Sequence, residues 1–237
     1  MPQFENYAQY SAGVDSLEAV NAIFRKVYQY MAAGLILTAL AAYLTASSRF
    51  MLELLYTSRA PLLILAVAEI GLVIWLSAGI NKLSPEGARN IFFVYSIVNG
   101  LTMSSVLLVY TGESVTRAFL STAGMFAAMS IYGLYTKRDL TGMGSFLRMG
   151  LFGLIIAMVI NLFMRSSMME LYISVFGIII FLGLTAWDTA KIKAIAESYG
   201  NDEAMTGKVA VLGALALYLD FVNIFLYLLR LFGKNRD

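Results

Sequence analysis

The sequence predicts an all-α integral membrane protein with seven transmembrane helices, the last of them central. Hydrophobic residues make up 59% of the 237 residues and charged residues 14%, whereas soluble domains average about 45–50% and about 25%. The apolar residues also gather into seven stretches, each close to the roughly 20 residues that a helix needs to cross a bilayer. These stretches are residues 27–46, 61–80, 90–110, 118–135, 147–164, 171–187 and 209–231.

The segment before the first apolar stretch is not predicted to span the membrane. Residues 1–22 are polar and mixed, without an early apolar core, so they predict a mobile tail or a short surface helix and not a signal peptide. The predicted organisation is therefore a polar tail at 1–22 followed by a membrane domain at 23–237.

The last stretch carries Asp220 close to its middle. An ionisable side chain at membrane depth costs about 2.5–3.5 kcal/mol on insertion scales, so it is a functional hypothesis by default. On a helix, one face would hold the small and polar residues of this stretch. These are Gly213, Ala216, Asp220, Asn223 and Tyr227. The sequence therefore predicts a polar face on the last helix that needs partners.

The predicted partner of Asp220 is Asp188, one helix earlier. A polar turn at residues 200–207 lies almost midway between them. If both flanks are antiparallel helices, the two carboxyl groups lie at nearly the same height. Two carboxylates held close cannot both ionise at low cost, so the pair would hold a proton in acid and bind a cation when deprotonated.

Other polar residues within the spans have more than one interpretation. Glu69, central in the second span, is either part of an ion pathway or a neutral acid hydrogen-bonded between helices. Asp188 could instead pair only with Lys191, and Asp220 could serve packing alone. Asn99 and Asn161 are typical of hydrogen bonding between helices.

The distribution of lysine and arginine favours a cytoplasmic N-terminus. Ten of the 17 basic residues lie on the side of the N-terminus if the last segment spans, and thirteen if it re-enters and leaves on the same side. Charge bias therefore prefers re-entry, whereas the length of the segment favours a full span. We follow the length.

Composition excludes several chemistries. There is no Cys and no His, so disulfides, thiol catalysis and Ser–His or Cys–His mechanisms are excluded. Two aspartates on adjacent helices also occur in intramembrane aspartyl proteases, but the Gly-x-Gly-Asp context is missing, since residues 217–220 read LYLD. We therefore expect no enzyme activity and no cofactor.

The last two stretches carry a resemblance to a known family. Residues 212–215 (LGAL), 217–225 (LYLDFVNIF) and 228–230 (LLR) resemble the signature of the Bax inhibitor (transmembrane BAX inhibitor motif) family, and its bacterial branch most of all. The resemblance extends through residues 183–189 (GLTAWDT) and 125–140, and the helix layout matches nearly the whole chain after the tail.

The resemblance implies a last helix wrapped by two layers of three helices, in a bacterial inner membrane. It also implies a pH-sensitive calcium leak governed by an aspartate pair at Asp188 and Asp220, with Glu69 at the position of an acidic residue on the second helix. An arginine that the calcium-conducting member has near the pair is missing. Lys82 is the candidate substitute, though not as a planar bidentate clamp.

The resulting hypothesis is a pH-sensitive calcium-permeable leak. Protonation of the pair, or a proton shared within it, would hold the last helix closed, and deprotonation would loosen the packing and supply oxygen ligands for a weak calcium site. Either direction of the pH response fits the sequence. The expected partners are the lipid bilayer, calcium ions and protons.

A rival hypothesis is a membrane-embedded interaction protein that modulates a membrane protease or a quality-control complex. It would use the tail at residues 1–22 as a handle. It predicts that truncating the tail abolishes the phenotype while Asp220→Asn leaves it intact, and the leak hypothesis predicts the reverse.

Overall fold

The structure is a computed structural model that describes residues 2–199 and 203–236. Eight α-helices occupy these residues, with a single 3-10 turn at Ile80–Lys82. The helices are α1 (Pro2–Ser47), α2 (Arg49–Tyr56), α3 (Ala60–Gly79), α4 (Pro85–Val109), α5 (Gly112–Tyr135), α6 (Thr141–Met164), α7 (Ser167–Tyr199) and α8 (Glu203–Phe232). Seven of them, all except α2, are long and apolar enough to cross a membrane, which confirms the predicted all-α membrane fold.

Polar side chains at the helix ends explain where several helices begin. The hydroxyl of Ser84 accepts a hydrogen bond from the Gly87 N–H (3.1 Å) at the start of α4, and Pro85 follows as the first helical residue. The hydroxyl of Thr111 accepts from the Ser114 N–H (3.3 Å) at the start of α5. Such caps satisfy amide groups that have no partner within the helix.

The spans form two groups of three on either side of α8. Helices α1 and α3 both pack on α4, while α5 and α6 both pack on α7. Helix α8 contacts α1, α4, α5 and α7. In its most apolar stretch 67% of the residues are buried, compared with 39% for α4, the next most buried span. The predicted central position of the last helix is therefore confirmed.

Close approach between helices depends on small residues at two crossings. A methyl group on Gly100 of α4 would lie 2.6 Å from the Thr38 carbonyl oxygen of α1. A methyl group on Gly133 of α5 would collide with the Ala186 carbonyl oxygen of α7. Small residues let transmembrane backbones approach and gain van der Waals contact.

Contacts at the two ends of α8 show that it runs the full height of the bundle. Near its start, Lys208 Nζ donates to the Asn81 carbonyl (3.2 Å) beside the α3–α4 turn. Beyond its end, residues 233–236, here called the C-terminal strap, lie against the α4–α5 turn, at the opposite end of α4. Thr111 N–H donates to the Lys234 carbonyl (3.1 Å), and Arg236 N–H donates to the Val109 carbonyl (2.8 Å). The last segment therefore spans and does not re-enter.

Two differences from the sequence-based expectations concern the helix ends. Residues 203–207, predicted as part of the turn before the last span, are the first residues of α8. Helix α1 continues unbroken from Pro2 through the predicted tail, and Val20 within it is buried. Whether residues 1–22 act as a separate unit stays a prediction.

We expect Gly233→Ala to destabilise the protein because the strap leaves no room at this position. A methyl group there would lie 2.6 Å from the Tyr110 ring and would also meet the Leu229 carbonyl oxygen. Overpacking costs about 1–3 kcal/mol, to be measured as a fall in unfolding free energy in detergent micelles. Gly112→Ala is the matched control, since a methyl group there meets nothing within 4 Å. Equal stability of the two variants would show that the strap is not packed against the α4–α5 turn.

Candidate functional site

The candidate site lies where α8 faces α7, around the side chain of Asp220. This side chain is 4% exposed. Its neighbours across the interface are the Asp188 carboxyl and the Thr185 hydroxyl of α7. Within the described residues Oδ2 of Asp220 has no hydrogen-bond partner. The structure thus brings the two predicted aspartates together and leaves one buried carboxyl oxygen unsatisfied.

The Thr185 hydroxyl has a second contact that bears on the state of Asp220. It donates to the Phe181 carbonyl of its own helix (2.8 Å). A hydroxyl has one hydrogen and two acceptor lone pairs. The hydroxyl can rotate so that this hydrogen is directed to the Asp220 carboxylate instead of to Phe181. The contact therefore accommodates Asp220 in either protonation state.

Asp188 is half-buried on α7, one turn beyond Thr185. The cations that act on it are Lys191 of the same helix and Arg148 of α6. Neither forms an ion pair with it, since the ion pairs in the described part of the chain are Arg49–Glu53 and Arg117–Glu113, both exposed. The interpretation in which Asp188 pairs only with Lys191 is therefore incomplete, because Arg148 on α6 also acts on this carboxyl group.

The two cations are positioned by the ring of Trp187. The Arg148 guanidinium carbon lies 5.2 Å from the ring centroid, and Lys191 Nζ lies 5.0 Å from it. The ring in turn packs against Gly144 of α6, where no side chain would fit. Cations at this distance are attracted to the face of a Trp ring. Trp187 therefore holds both charges next to the aspartate pair.

Glu69 lies in a different polar cluster, between α3, α4 and α8. Thr102 Oγ1 donates to one of its carboxylate oxygens (2.6 Å), and Asn99 Nδ2 donates to the other (3.3 Å). The Tyr218 hydroxyl donates to Asn99 Oδ1 (2.9 Å) and lies 2.6 Å from the Thr38 hydroxyl. A chain of hydrogen bonds therefore connects α3 to α1 through the central helix.

Glu69 does not join the aspartate pair. No group of three or more acidic side chains that could hold a metal ion occurs among the described residues. Tyr218 and Asp220 are two residues apart, about 200° around the helix, so Glu69 and Asp188 lie towards opposite faces of α8. Any cation at the pair would thus have two carboxylates.

The supporting residues predicted from sequence take other positions. Lys82 is exposed at the end of the 3-10 turn after α3, and the cations acting on Asp188 are others. Asn223 donates to the Leu219 carbonyl of its own helix (2.8 Å). Asn161, expected between helices, accepts from the Ser166 N–H (3.0 Å) in the turn after α6, so that expectation was wrong.

Sequence reasoning missed Arg148 and Tyr218. Arg148 was assigned only to the topology count, although it follows the start of α6 by two turns and could reach the level of Trp187. Tyr218 is about 200° around α8 from Asp220 and therefore lies away from the predicted polar face. Its hydroxyl, in a stretch with Asp220 two residues later, was a signal that the helix has polar partners on two sides.

Fold and site together define a multi-pass membrane protein with a buried carboxyl group on its central helix, near a second carboxyl group on α7. A family model described as "Inhibitor of apoptosis-promoting Bax1" matches residues 20–237, and the chain belongs to this Bax inhibitor family. It is similar to the "Inner membrane protein YbhL" of Escherichia coli K12, 44% identical over 99% of this chain and 98% of that protein. It is also similar to an uncharacterized protein, RP147, of Rickettsia prowazekii, 42% identical over 93% and 92% of the two chains.

We expect Tyr218→Phe to weaken the bundle because it removes the hydroxyl that joins Thr38 to Asn99. Hydrogen bonds between transmembrane helices contribute about 0.6 kcal/mol on average and up to about 1.7 kcal/mol. The upper part of this range is expected, since Tyr218 is fully buried. The measurement is unfolding free energy in micelles.

Tyr132→Phe provides the control for this prediction. Tyr132 is 43% exposed on α5, so loss of its hydroxyl should leave the stability unchanged. A Tyr218→Phe protein as stable as the control would show that the cluster does not hold α8.

Proposed function

We propose that this protein is a pH-sensitive, calcium-permeable leak whose gate is the Asp188–Asp220 pair between α7 and α8. The observation that carries the proposal is the buried Asp220 carboxyl, which lies within range of the charge of a second carboxyl group and has one oxygen without a partner among the described residues. Burying a carboxyl group without a full set of hydrogen-bond partners costs free energy. An ionisable residue kept inside a membrane at such a cost is a functional candidate.

The same surroundings support a direction for the pH response. Burial near a second carboxyl group disfavours the ionised form of Asp220, so we assign the tightly packed arrangement to the protonated, closed state. Ionisation of both carboxyl groups would place two like charges side by side at low dielectric. Their repulsion would separate α7 from α8 and would present carboxylate oxygens to a cation. Flux should therefore rise with pH.

Calcium is the proposed cargo because it accepts oxygen ligands in irregular geometry. Two carboxylates, helped by backbone carbonyls and water, would bind it weakly, as conduction requires. Arg148 and Lys191 would oppose tight cation binding at Asp188. The protein would then carry out no covalent chemistry and would need no cofactor.

The proposed location is a bacterial inner membrane with the N-terminus in the cytoplasm. The relative from Escherichia coli is named as an inner membrane protein. With α8 spanning, ten basic residues lie on the N-terminal side of the bundle against seven on the other, and cytoplasmic loops carry the excess of such residues.

We predict that calcium flux into proteoliposomes rises several-fold from about pH 6 to about pH 8, and that Asp220→Asn and Asp188→Asn each reduce this dependence. Asparagine at 220 imitates the protonated carboxyl, so this variant should stay closed at every pH. Flux is measured with a calcium dye enclosed in the vesicles. A wild-type protein that passes no calcium at any pH would refute the leak.

Glu197→Gln is the matched control for the flux experiment. Glu197 is exposed on α7, beyond the pair, and its neutralisation should leave both the flux and its pH dependence intact. If this variant behaved like Asp188→Asn, the effect would come from surface charge and not from the pair.

A further variant separates the leak from the rival hypothesis of an interaction protein that modulates a membrane protease or quality-control complex. Removal of residues 2–17 leaves the buried Val20 in place. We expect the shortened protein to keep its pH-dependent flux. A deletion phenotype in cells that returns with the shortened protein but not with Asp220→Asn would support the leak, and the opposite result would favour the interaction protein.

A further inference from the structure

The interface between α7 and α8 continues from the aspartate pair towards the far end of the bundle, where the C-terminal strap lies. Two close approaches fix the alignment of these helices. A methyl group on Gly213 would lie 2.9 Å from the Ile192 side chain, and one on Gly177 would lie 2.5 Å from the Tyr227 ring. The numbers fall along α7 as they rise along α8, so the two helices are antiparallel. Residues of α7 that precede Gly177 therefore lie beyond Tyr227, nearer the far end.

The Tyr227 ring fills this interface beyond Asp220. The two residues are seven positions apart on α8, which is about 10 Å of helix. Tyr227 is 3% exposed. Its ring lies on the backbone of α7 at Gly177, where no side chain would fit, and its centroid is 6.0 Å from that of Phe181. The ring therefore separates the part of the interface that holds Asp220 from the part near the far end.

Packing and a cation hold this ring in place. The Arg230 guanidinium carbon lies 5.4 Å from the ring centroid, a distance at which a cation is attracted to the face of an aromatic ring. The Tyr227 hydroxyl donates to Met158 Sδ of α6 (3.6 Å), and a thioether sulfur is a weak acceptor. Because the main contacts of the ring are with α7, separation of α7 from α8 would release it.

Ser174 lies on the other side of this ring. It precedes Phe181 by seven residues and Thr185 by eleven, spacings that keep all three on the face of α7 that meets α8. Ser174 is 1% exposed, and its Oγ has no hydrogen-bond partner among the described residues. Within the same part of the chain, Oδ2 of Asp220 also lacks a partner. Two buried oxygen atoms of this kind therefore flank the Tyr227 ring in one interface.

The two oxygen atoms are suited to a cation that moves along the interface. Burial of a polar atom without a partner costs free energy, so each such atom in a folded protein calls for an explanation. Carboxylate and hydroxyl oxygens are ligands for hard cations, and polar groups inside a membrane protein mark ion pathways. From Thr185, beside Asp220, to Ser174 the distance along α7 is about 16 Å. The plugged interface therefore has one oxygen site on each side of the plug.

We propose that the α7–α8 interface is the route of the cation between the aspartate pair and the far end of the bundle, with the Tyr227 ring as its plug and Ser174 as the next oxygen ligand. This inference rests on the proposed leak and assigns its route and the residue that closes it. Deprotonation of the pair separates the helices, the ring leaves Gly177, and the cation passes from Asp220 to Ser174.

The first test measures access to Ser174 without measuring flux. The chain has no Cys, so Ser174→Cys introduces a single thiol. Its reaction with a water-soluble cationic methanethiosulfonate is followed by mass spectrometry in micelles at about pH 6 and about pH 8. Ser130→Cys on α5 is the control, since Ser130 is also buried at 4% exposure. It corrects for the greater reactivity of any thiol at high pH. Reactivity at position 174 should rise several-fold more than at the control position.

The second test removes the plug. Tyr227→Ala should raise calcium flux at about pH 6 several-fold, towards the wild-type flux at about pH 8, and should make Ser174→Cys reactive at both pH values. Tyr227→Phe keeps the ring and should behave as the wild type. Phe221→Ala is the matched control, since its ring packs on Phe119 and Phe126 of α5, and it should stay closed in acid.

The unfolding free energy of each variant is measured in micelles, and Tyr227→Leu, which also lacks the ring, replaces Tyr227→Ala if the latter does not fold. Ser174→Ala should lower the flux at about pH 8 several-fold and leave its pH dependence intact. Ser130→Ala, the buried control on α5, should leave both unchanged.

A Ser174→Cys protein that is no more reactive than the control at either pH overturns the route. A folded Tyr227→Ala or Tyr227→Leu protein that stays closed in acid overturns the plug, as does a Phe221→Ala protein that leaks equally. These results differ from failure of the leak itself, which would appear as a wild-type protein without calcium flux at any pH. The reactivity of position 174 decides the route even then, because it does not depend on calcium.

Discussion

The burial of polar groups on two faces of α8 is the constraint on which the rest of the structure depends. Asp220 faces α7 and Tyr218 faces α1 and α4, while most of the residues around them in the membrane-spanning stretch are apolar and buried. A polar group in a low-dielectric interior needs a partner at a particular height and angle. Two such groups, about 200° apart, fix the rotation and the depth of the helix together. Apolar packing alone would tolerate other rotations.

The polar contacts on these two faces are unequal. The Tyr218 hydroxyl lies 2.6 Å and 2.9 Å from its partners, and Asn99 extends the chain to Glu69. Asp220, by contrast, has an oxygen without a partner among the described residues. The α1–α4 side therefore holds α8 by satisfied hydrogen bonds, whereas the α7 side depends on the protonation state of two carboxyl groups. Within the proposed leak, this difference makes the α7 side the one that opens and the Tyr218 side the one that stays.

Much of this arrangement follows from local features of the sequence, and some of it does not. The seven spans are recoverable from hydropathy because each is a run of about 20 apolar residues. The Asp188–Asp220 pair follows from the height of each residue above a shared turn. The Glu69 cluster and the cations at Trp187 could not be placed in this way, because they depend on how α3, α6 and α8 are rotated against their neighbours. Asn161 shows the same limit, since its amide caps a turn instead of joining helices.

The last span shows why length was a better guide than charge. Arg230, Lys234 and Arg236 reduce the charge difference between the two sides, but the structure gives two of these residues contacts of their own. The Arg230 guanidinium lies 5.4 Å from the Tyr227 ring centroid, and Arg236 Nη1 donates to the Leu107 carbonyl (3.4 Å). Both therefore contribute to local contacts at the end where α8 meets the α4–α5 turn, whereas the charge rule treats every basic residue as a record of topology. The apolar length of α8 accounts for the span, and the backbone hydrogen bonds of the strap hold its far end beside the α4–α5 turn.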